Sequence, residues 1–328
     1  MALRNRVLAD TTGTINTQPH IVALAGGVGG AKLADGLARS LPPGALTVIV
    51  NTGDDFTHYG LAISPDLDTV MYTLAGLADP VNGWGLEGDT RQMVEMLKSY
   101  GDDAWFGLGD RDLATHLLRT QALRDGKTLS QVTAELSARL GITSRIVPMT
   151  NDAVATRVET ADHGILPFQE YFVHQRWQPV VTKLDYSGAE SAKAAPGVLE
   201  ALEQASAIVI CPSNPLLSVE PILQIGGIRA ALLSRRVPCV AVSPIIAAQA
   251  VKGPAAKLMR ELGLDASASG IATYYDTLID ALVVDSADSD APIMSRKIVT
   301  NTWMNSVEDR TQLAGKILSW IDGWKAKA

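Results

Sequence analysis

Five apolar residues, Ile21–Ala25, run directly into Gly26-Gly27-Val28-Gly29-Gly30, after which Leu33, Leu37 and Leu41 recur at helical spacing. The β-branched segment Leu46–Val50 follows. Strand, glycine turn, helix and strand in that order make a βαβ unit, which commits the chain to a parallel sheet. The pattern returns in the C-terminal half. Ala207–Cys211, Cys239–Val242 and Ala281–Asp285 read as strands, while Val219–Leu233, Pro254–Leu262 and Ile271–Ile279 hold helices. Ser306–Trp324 closes the chain as a helix with Leu313, Ile317 and Ile321 on one face. The expected fold is α/β: a doubly wound, mainly parallel, Rossmann-like sheet.

The middle breaks this alternation. Thr90–Leu140 has mostly helical periodicity, and Val154–Glu159 with Leu166–His174 reads as a hairpin about Ala161-Asp162-His163-Gly164. Residues 85–190 are therefore expected to form a smaller helical and β-hairpin subdomain. It would be inserted in a nucleotide-binding core made of 21–84 and 191–328. The polar segment 1–20 has no apolar centre of the signal-peptide kind and is expected to be a disordered leader.

Composition bounds the function. Of 328 residues 47% are hydrophobic but only 5% aromatic, so Ala, Val, Leu and Ile must build the core. A formal charge of −7 argues against broad nucleic-acid or anionic-membrane binding, which needs a basic face. The longest apolar runs are strand-sized, too short to span a bilayer. Cys211 and Cys239 have neither zinc-type spacing nor the look of a disulfide framework, and read as buried thiols. A cytoplasmic protein with no nucleic-acid or membrane partner is expected.

The chemistry concentrates after the strands. Glycines at 26, 27, 29 and 30 let a backbone approach a phosphate, and the following helix would aim its N–H groups at it, with Lys32 adding a cation. Tight strand-to-helix packing also selects glycine. The turn lacks the Gly-Lys-Ser/Thr of a P-loop, and Leu46–Val50 runs into Asn51-Thr52-Gly53-Asp54-Asp55 instead of the single ribose-binding acid of a dehydrogenase. Ser64-Pro65-Asp66-Leu67-Asp68-Thr69 brings further carboxylates before a helix. Four carboxylates, at 54, 55, 66 and 68, beside a phosphate cradle suit a hard divalent cation, normally Mg²⁺; helix capping is the plainer alternative. Trp105-Phe106-Gly107-Leu108-Gly109-Asp110-Arg111-Asp112 could stack on and fix a planar ring, or simply start the helix that carries His116 and Arg119. Ser213 and Asn214, in Cys211-Pro212-Ser213-Asn214-Pro215, offer the donors and acceptors of a purine edge, though turn chemistry explains them too. Ser243 follows the next strand, and Lys252 could supply another phosphate contact.

Taken in order, these segments, together with Ser243-Pro244-Ile245-Ile246 and Gly253-Pro254-Ala255-Ala256-Lys257-Leu258-Met259, resemble the CofD/FbiA family over about Ile21 to Ile321. Members are 2-phospho-L-lactate transferases of coenzyme F420 biosynthesis. The resemblance implies transfer of a phosphate-linked three-carbon acid (phospholactate, phosphoenolpyruvate or phosphoglycerate) from a GDP-activated donor to the deazaflavin Fo, with Mg²⁺ and release of GMP. It implies a guanine-nucleotide cleft at Gly26, Gly27, Gly29, Gly30, Ser213, Asn214, Pro215, Ser243 and Lys252. It places the deazaflavin near Asp68, Gly107, Asp110, Arg111 and His116, where archaeal members often have lysine at the position of Gly107. Asp54, Asp66 and Asp68 would hold the metal, and Asp66, Asp68 and Lys32 would serve the transfer. A homodimer is expected. Two rivals differ in class: a nucleotide-sugar-binding regulator on the same core, and a nicotinamide oxidoreductase.

Overall fold

The computed structural model describes residues 19–251 and 253–324. The remainder, including most of the segment expected to be a leader and Lys252, lies outside the described residues. His20, the last residue of that segment, is tied to the sheet: its N–H donates to Ser206 Oγ and its ring lies 3.2 Å from Thr47 Oγ1.

The chain begins with β1 (Ile21–Ala25), α1 (Gly27–Ser40) and β2 (Leu46–Val50). A hairpin of β3 (Phe56–His58) and β4 (Leu61–Ile63) precedes α2 (Pro65–Leu74). Three helices follow, α3 (Gln92–Ser99), α4 (Asp112–Arg124) and α5 (Leu129–Arg139), then β5 (Arg145–Pro148). β6 (Ala155–Thr160), β7 (Gly164–Pro167) and β8 (Val181–Ser187) make a separate antiparallel sheet. The second half supplies β9 (Ala207–Ile210), β10 (Cys239–Val242), the small pair β11 (Ile245–Ile246) and β12 (Gln249–Ala250), then β13 (Ala281–Asp285) and β14 (Arg296–Thr300). The last helix, Val307–Asp322, opens with a capping box in which Ser306 and Asp309 satisfy each other's backbone N–H.

The main sheet is parallel throughout, in the order β14-β13-β10-β9-β1-β2-β5. Its central strands are buried on both faces, which is why they read as unbroken apolar runs. Val22, Leu24, Ile49, Ile208 and Ile210 point to one core; Ala23, Val48, Val50 and Val209 point to the other. α1, α2 and the last helix cover the second face through Leu33, Leu37, Val70, Met71, Leu313 and Ile317. The sheet grows one way from β1 through β2 and the other way from β9, so the order reverses between β1 and β9. Open α/β sheets bind ligands outside the carboxyl ends of the strands at such a reversal. Here those ends carry Gly26 and Pro212-Ser213-Asn214.

Three local expectations are corrected. The glycine segment is the first turn of α1, which begins at Gly27, not a loop before a helix at Ala31. The second arm of the hairpin is only Gly164–Pro167, because Glu170–His174 coils into a helical turn that buries Tyr171. β8 pairs with the opposite edge of β6. The stretch 85–190 also supplies β5, which pairs with β2 at the edge of the main sheet.

Candidate active site

A cavity of about 740 Å³ opens at the reversal. One wall is the start of α1, with Gly26, Gly27, Val28, Gly29 and Lys32; the opposite wall is Pro212, Ser213, Asn214 and Ser243. Asp54, Asp66, Asp68, Asp112 and His116 line its acidic side, and Tyr72, Trp84, Phe106, Phe168, Phe172 and Trp303 supply aromatic surface.

The glycines are explained largely by packing. A Cβ on Gly29 would overlap the Pro212 carbonyl, one on Gly30 the Ser213 hydroxyl, and one on Gly26 Asp66 and Ser218. Ser213 Oγ locks the two walls together, accepting from Gly26 N at 3.0 Å and donating to Gly26 O at 2.9 Å. Only Gly27 of this group has the left-handed backbone, at φ +60°. The early N–H groups of α1 have no acceptor within the helix, and the first of them, on Gly27, donates to Asp66 Oδ1 at 2.8 Å. Lys32 Nζ reaches the Met304 carbonyl at 2.8 Å while still lining the cavity.

Asp66 is a buried hub. Its other oxygen accepts from Asn51 Nδ2 at 2.9 Å, and Asn51 in turn accepts from Gly53 N. Burial pushes the Asp66 carboxyl up to about 6, although the bonds from Asn51 Nδ2 and Gly27 N oppose the rise. Burial, followed by the adjacent Asp66 charge, holds Asp54 well above the usual carboxylate range. Asp55 is also raised by burial, against a hydrogen bond from Ser64. Asp54 Oδ1 and Asp55 Oδ1 are buried without hydrogen-bond partners among the described residues. Burial and mutual repulsion favour the protonated form of carboxylates packed this way.

Asp68 has a different environment. Both of its oxygens are held by the guanidinium of Arg119, one at 3.1 Å from Nη1. His116 lies on the same side, Nδ1 3.7 Å from Asp68 and Nε2 3.1 Å from Asp112. Arg119 Nη1 sits 3.4 Å from His116 Nδ1, and since a guanidinium only donates, Nδ1 is the acceptor in that contact. Tyr72 hydroxyl donates to Asp112 Oδ1 at 2.6 Å. Burial opposes ionisation of Asp112, but the bond from His116 holds its carboxyl below the usual value.

Several expected site residues do other work. Asp110 and Arg111 are outside the cavity lining. Asp110 caps α3 by accepting from Gln92 N and Met93 N, and Arg111 reaches the Glu87 carbonyl, so the helix-start reading describes them. Gly107 does line the cavity, close to Arg91. Pro215 is buried outside the lining, as the first residue of a helical turn capped by Asn214. Asn214 Oδ1 accepts from Leu216 N and Leu217 N, so a ligand contact by Asn214 would fall to its amide nitrogen. Ser243 closes a local turn with Ile245 while facing the cavity.

The sequence profile of the family described as 2-phospho-L-lactate transferase CofD matches residues 21–318. The chain belongs to the CofD family. It is 45% identical to a phosphoenolpyruvate transferase of Streptomyces griseus over 83% of this chain and 87% of that one. It is 41% identical to a 2-phospho-L-lactate transferase of Methanosarcina mazei over 90% of this chain and 98% of that one. A solved UPF0052-family protein from Bacillus halodurans has the same fold, with TM-score 0.60 at 16% identity over 92% of this chain and 99% of that one. CofD is a transferase family of F420 biosynthesis, so the chain is an enzyme. Among the described residues no helix is long and apolar enough to cross a membrane.

Sequence reasoning missed Asp112, Arg119 and Tyr72 as parts of this CofD-family site. The signal was present in the spacing. Asp112, His116 and Arg119 stand four and then three residues apart, one face of a helix, and Tyr72 stands four after Asp68. Nothing in a single sequence shows that these two faces meet.

Proposed function

We propose that this enzyme transfers a phosphate-linked three-carbon acid (2-phospholactate, phosphoenolpyruvate or 3-phosphoglycerate) from its GDP-activated donor to the deazaflavin Fo, releasing GMP. The observation that carries this reading is the sharing of one cavity by a helix N-terminus, a buried carboxylate cluster and aromatic walls. The start of α1 and Lys32 suit a diphosphate. Ser213 and the amide of Asn214, across the cavity, suit a nucleobase edge. The aromatic walls suit a planar ring system. Family membership supports the same class of reaction, and relatives with either three-carbon acid in their names are about equally similar.

A divalent cation fits the residues present. Asp54 and Asp66, with Asp55 beside them, would hold it, since their carboxylates are buried, raised and only partly hydrogen-bonded. Bound there, Mg²⁺ would supply charge neutralisation for the diphosphate. Asp68, already paired with Arg119, fits better as the acceptor of a hydrogen bond from the attacking hydroxyl. In that role it would orient the ribityl hydroxyl of Fo toward phosphorus and draw on its proton. Lys32 would offset charge on the GMP leaving group. Positioning and electrostatics of this kind carry most of the rate in phosphoryl transfer.

The test is direct. Purified protein is mixed with Fo, Mg²⁺ and each of the three GDP-activated acids, and products are identified by mass. One donor should yield Fo bearing that acid, together with GMP; Fo left unmodified by all three would overturn the reading.

A further inference from the structure

Arg119 is the one arginine among the largest fully buried side chains, and it does not line the cavity. A buried guanidinium is costly unless its charge is matched and its donors are used. Here the match is Asp68, gripped on both oxygens, with a longer contact to the Ala62 carbonyl. Asp68 does line the cavity, as do Asp112 and His116. Arg119 therefore stands directly behind the acidic wall. The same wall has the outline of a metal site: ligand atoms of Asp68, Asp112 and His116 all lie within 4.8 Å of one another. Two carboxylates and an imidazole would suit zinc or cobalt. The guanidinium already occupies the electrostatic position that such an ion would take.

We propose that Arg119 is the positioning residue of this site, a built-in cation that clamps Asp68 toward the acceptor and keeps divalent metal out of the Asp68–Asp112–His116 wall. Its fork geometry and its charge make separable contributions. The fork fixes both oxygens of Asp68, so that the carboxylate meets the acceptor hydroxyl in one orientation. The charge repels a second ion, leaving Asp54 and Asp66 as the place for the metal. This inference rests on the transferase reading for its kinetic consequence, but its metal consequence holds for any function of the cavity.

The experiment compares wild-type protein with Arg119→Met and Arg119→Lys. Metal-free protein is titrated with Co²⁺ and followed by calorimetry and visible absorption. Arg119→Met should take up one more Co²⁺ than wild type, with a new histidine-ligand absorption band; Arg119→Lys, which keeps the charge, should not. In the assay with Fo and Mg²⁺, both variants should lose about 100-fold in kcat while GDP affinity stays within about twofold, because an interaction with the transition state is lost and ground-state nucleotide binding is not. Wild type inactive with every donor would defeat the transferase reading and leave the Co²⁺ stoichiometry to decide the role of Arg119. Folded Arg119→Met with wild-type Co²⁺ uptake would overturn the metal-excluding charge. Arg119→Lys with wild-type kcat would overturn the clamp, and that variant carries the test if Arg119→Met does not fold.

Discussion

Asp66 Oδ1 accepts the backbone N–H of Gly27 at 2.8 Å, so a carboxylate already sits on the first turn of the helix best placed to receive a phosphate. An anion there gains from the helix dipole, yet it competes with a ligand of the same sign. The two are reconciled if a cation joins them.

Asp66→Asn should therefore have opposite effects with and without metal. In metal-free buffer, GDP should bind about threefold to tenfold tighter, since a neighbouring negative charge has gone. With Mg²⁺ present, turnover should fall by about two orders of magnitude through lost charge stabilisation. Calorimetry and product assays check the two halves. Weaker metal-free binding of GDP would mean that Asp66 supports the nucleotide directly.

Burial raises Asp66 to about 6, and Asp54 is raised as well. The folded protein thus keeps protons that the unfolded chain has already released between about pH 4 and 6. Stability of the metal-free protein should fall as pH rises through that window, and Mg²⁺ should oppose the fall. Mg²⁺ binding at pH 6 should also release protons, and at pH 8 release fewer. Titrations in buffers of different ionisation enthalpy measure this. Equal release at both values would place the ion away from these carboxylates.

The glycines make a structural prediction. Gly29→Ala would drive a methyl into the Pro212 carbonyl and should cost about 1–3 kcal/mol. Gly315 lies inside the last helix with nothing within 4 Å of its missing Cβ, so Gly315→Ala should stabilise by about 0.5–1 kcal/mol. Denaturant melts of the two variants should move in opposite directions.

Asn214 both caps a helical turn and faces the cavity. Asn214→Ser keeps a capping oxygen but removes the amide nitrogen. The variant should hold the wild-type melting temperature yet lose preference for GDP over ADP by about tenfold or more. An unmutated protein that binds both nucleotides equally would remove the base-reading role.

The central strands β1, β2, β9, β10 and β13 were legible to within a residue, because burial on both faces leaves a continuous apolar run. The edge strands were not: Arg296–Thr300 carries polar residues on its exposed side, and Arg145–Pro148 is only four residues long, opening on an exposed arginine and ending in proline. Phe168–His174 has the aromatic, branched composition of a strand, but packing of Phe168 and Tyr171 into the core overrides that propensity. In the site, the acids at 54, 66 and 68 were legible from their place after strands. The partition between them was not, since Asp68 is matched by Arg119, fifty-one residues away in sequence. Asp110 caps a helix outside the cavity lining, and a cap and a ligand contact draw on the same residue type, so a sequence alone does not separate them.

The bond between Gly26 and Ser213 joins positions 187 apart. Closing so long a loop is slow relative to forming a helix or a hairpin. During synthesis the glycine turn emerges early, but its opposite wall does not exist until Ser213 has left the ribosome. Any fragment that stops before Pro212 carries half a binding cleft, with Gly29 and Gly30 facing nothing they were shaped against. Ligand binding in this protein is thus a property of the finished polypeptide, and a nucleotide that binds should slow local opening of the β1–β9 seam more than of any other strand pair.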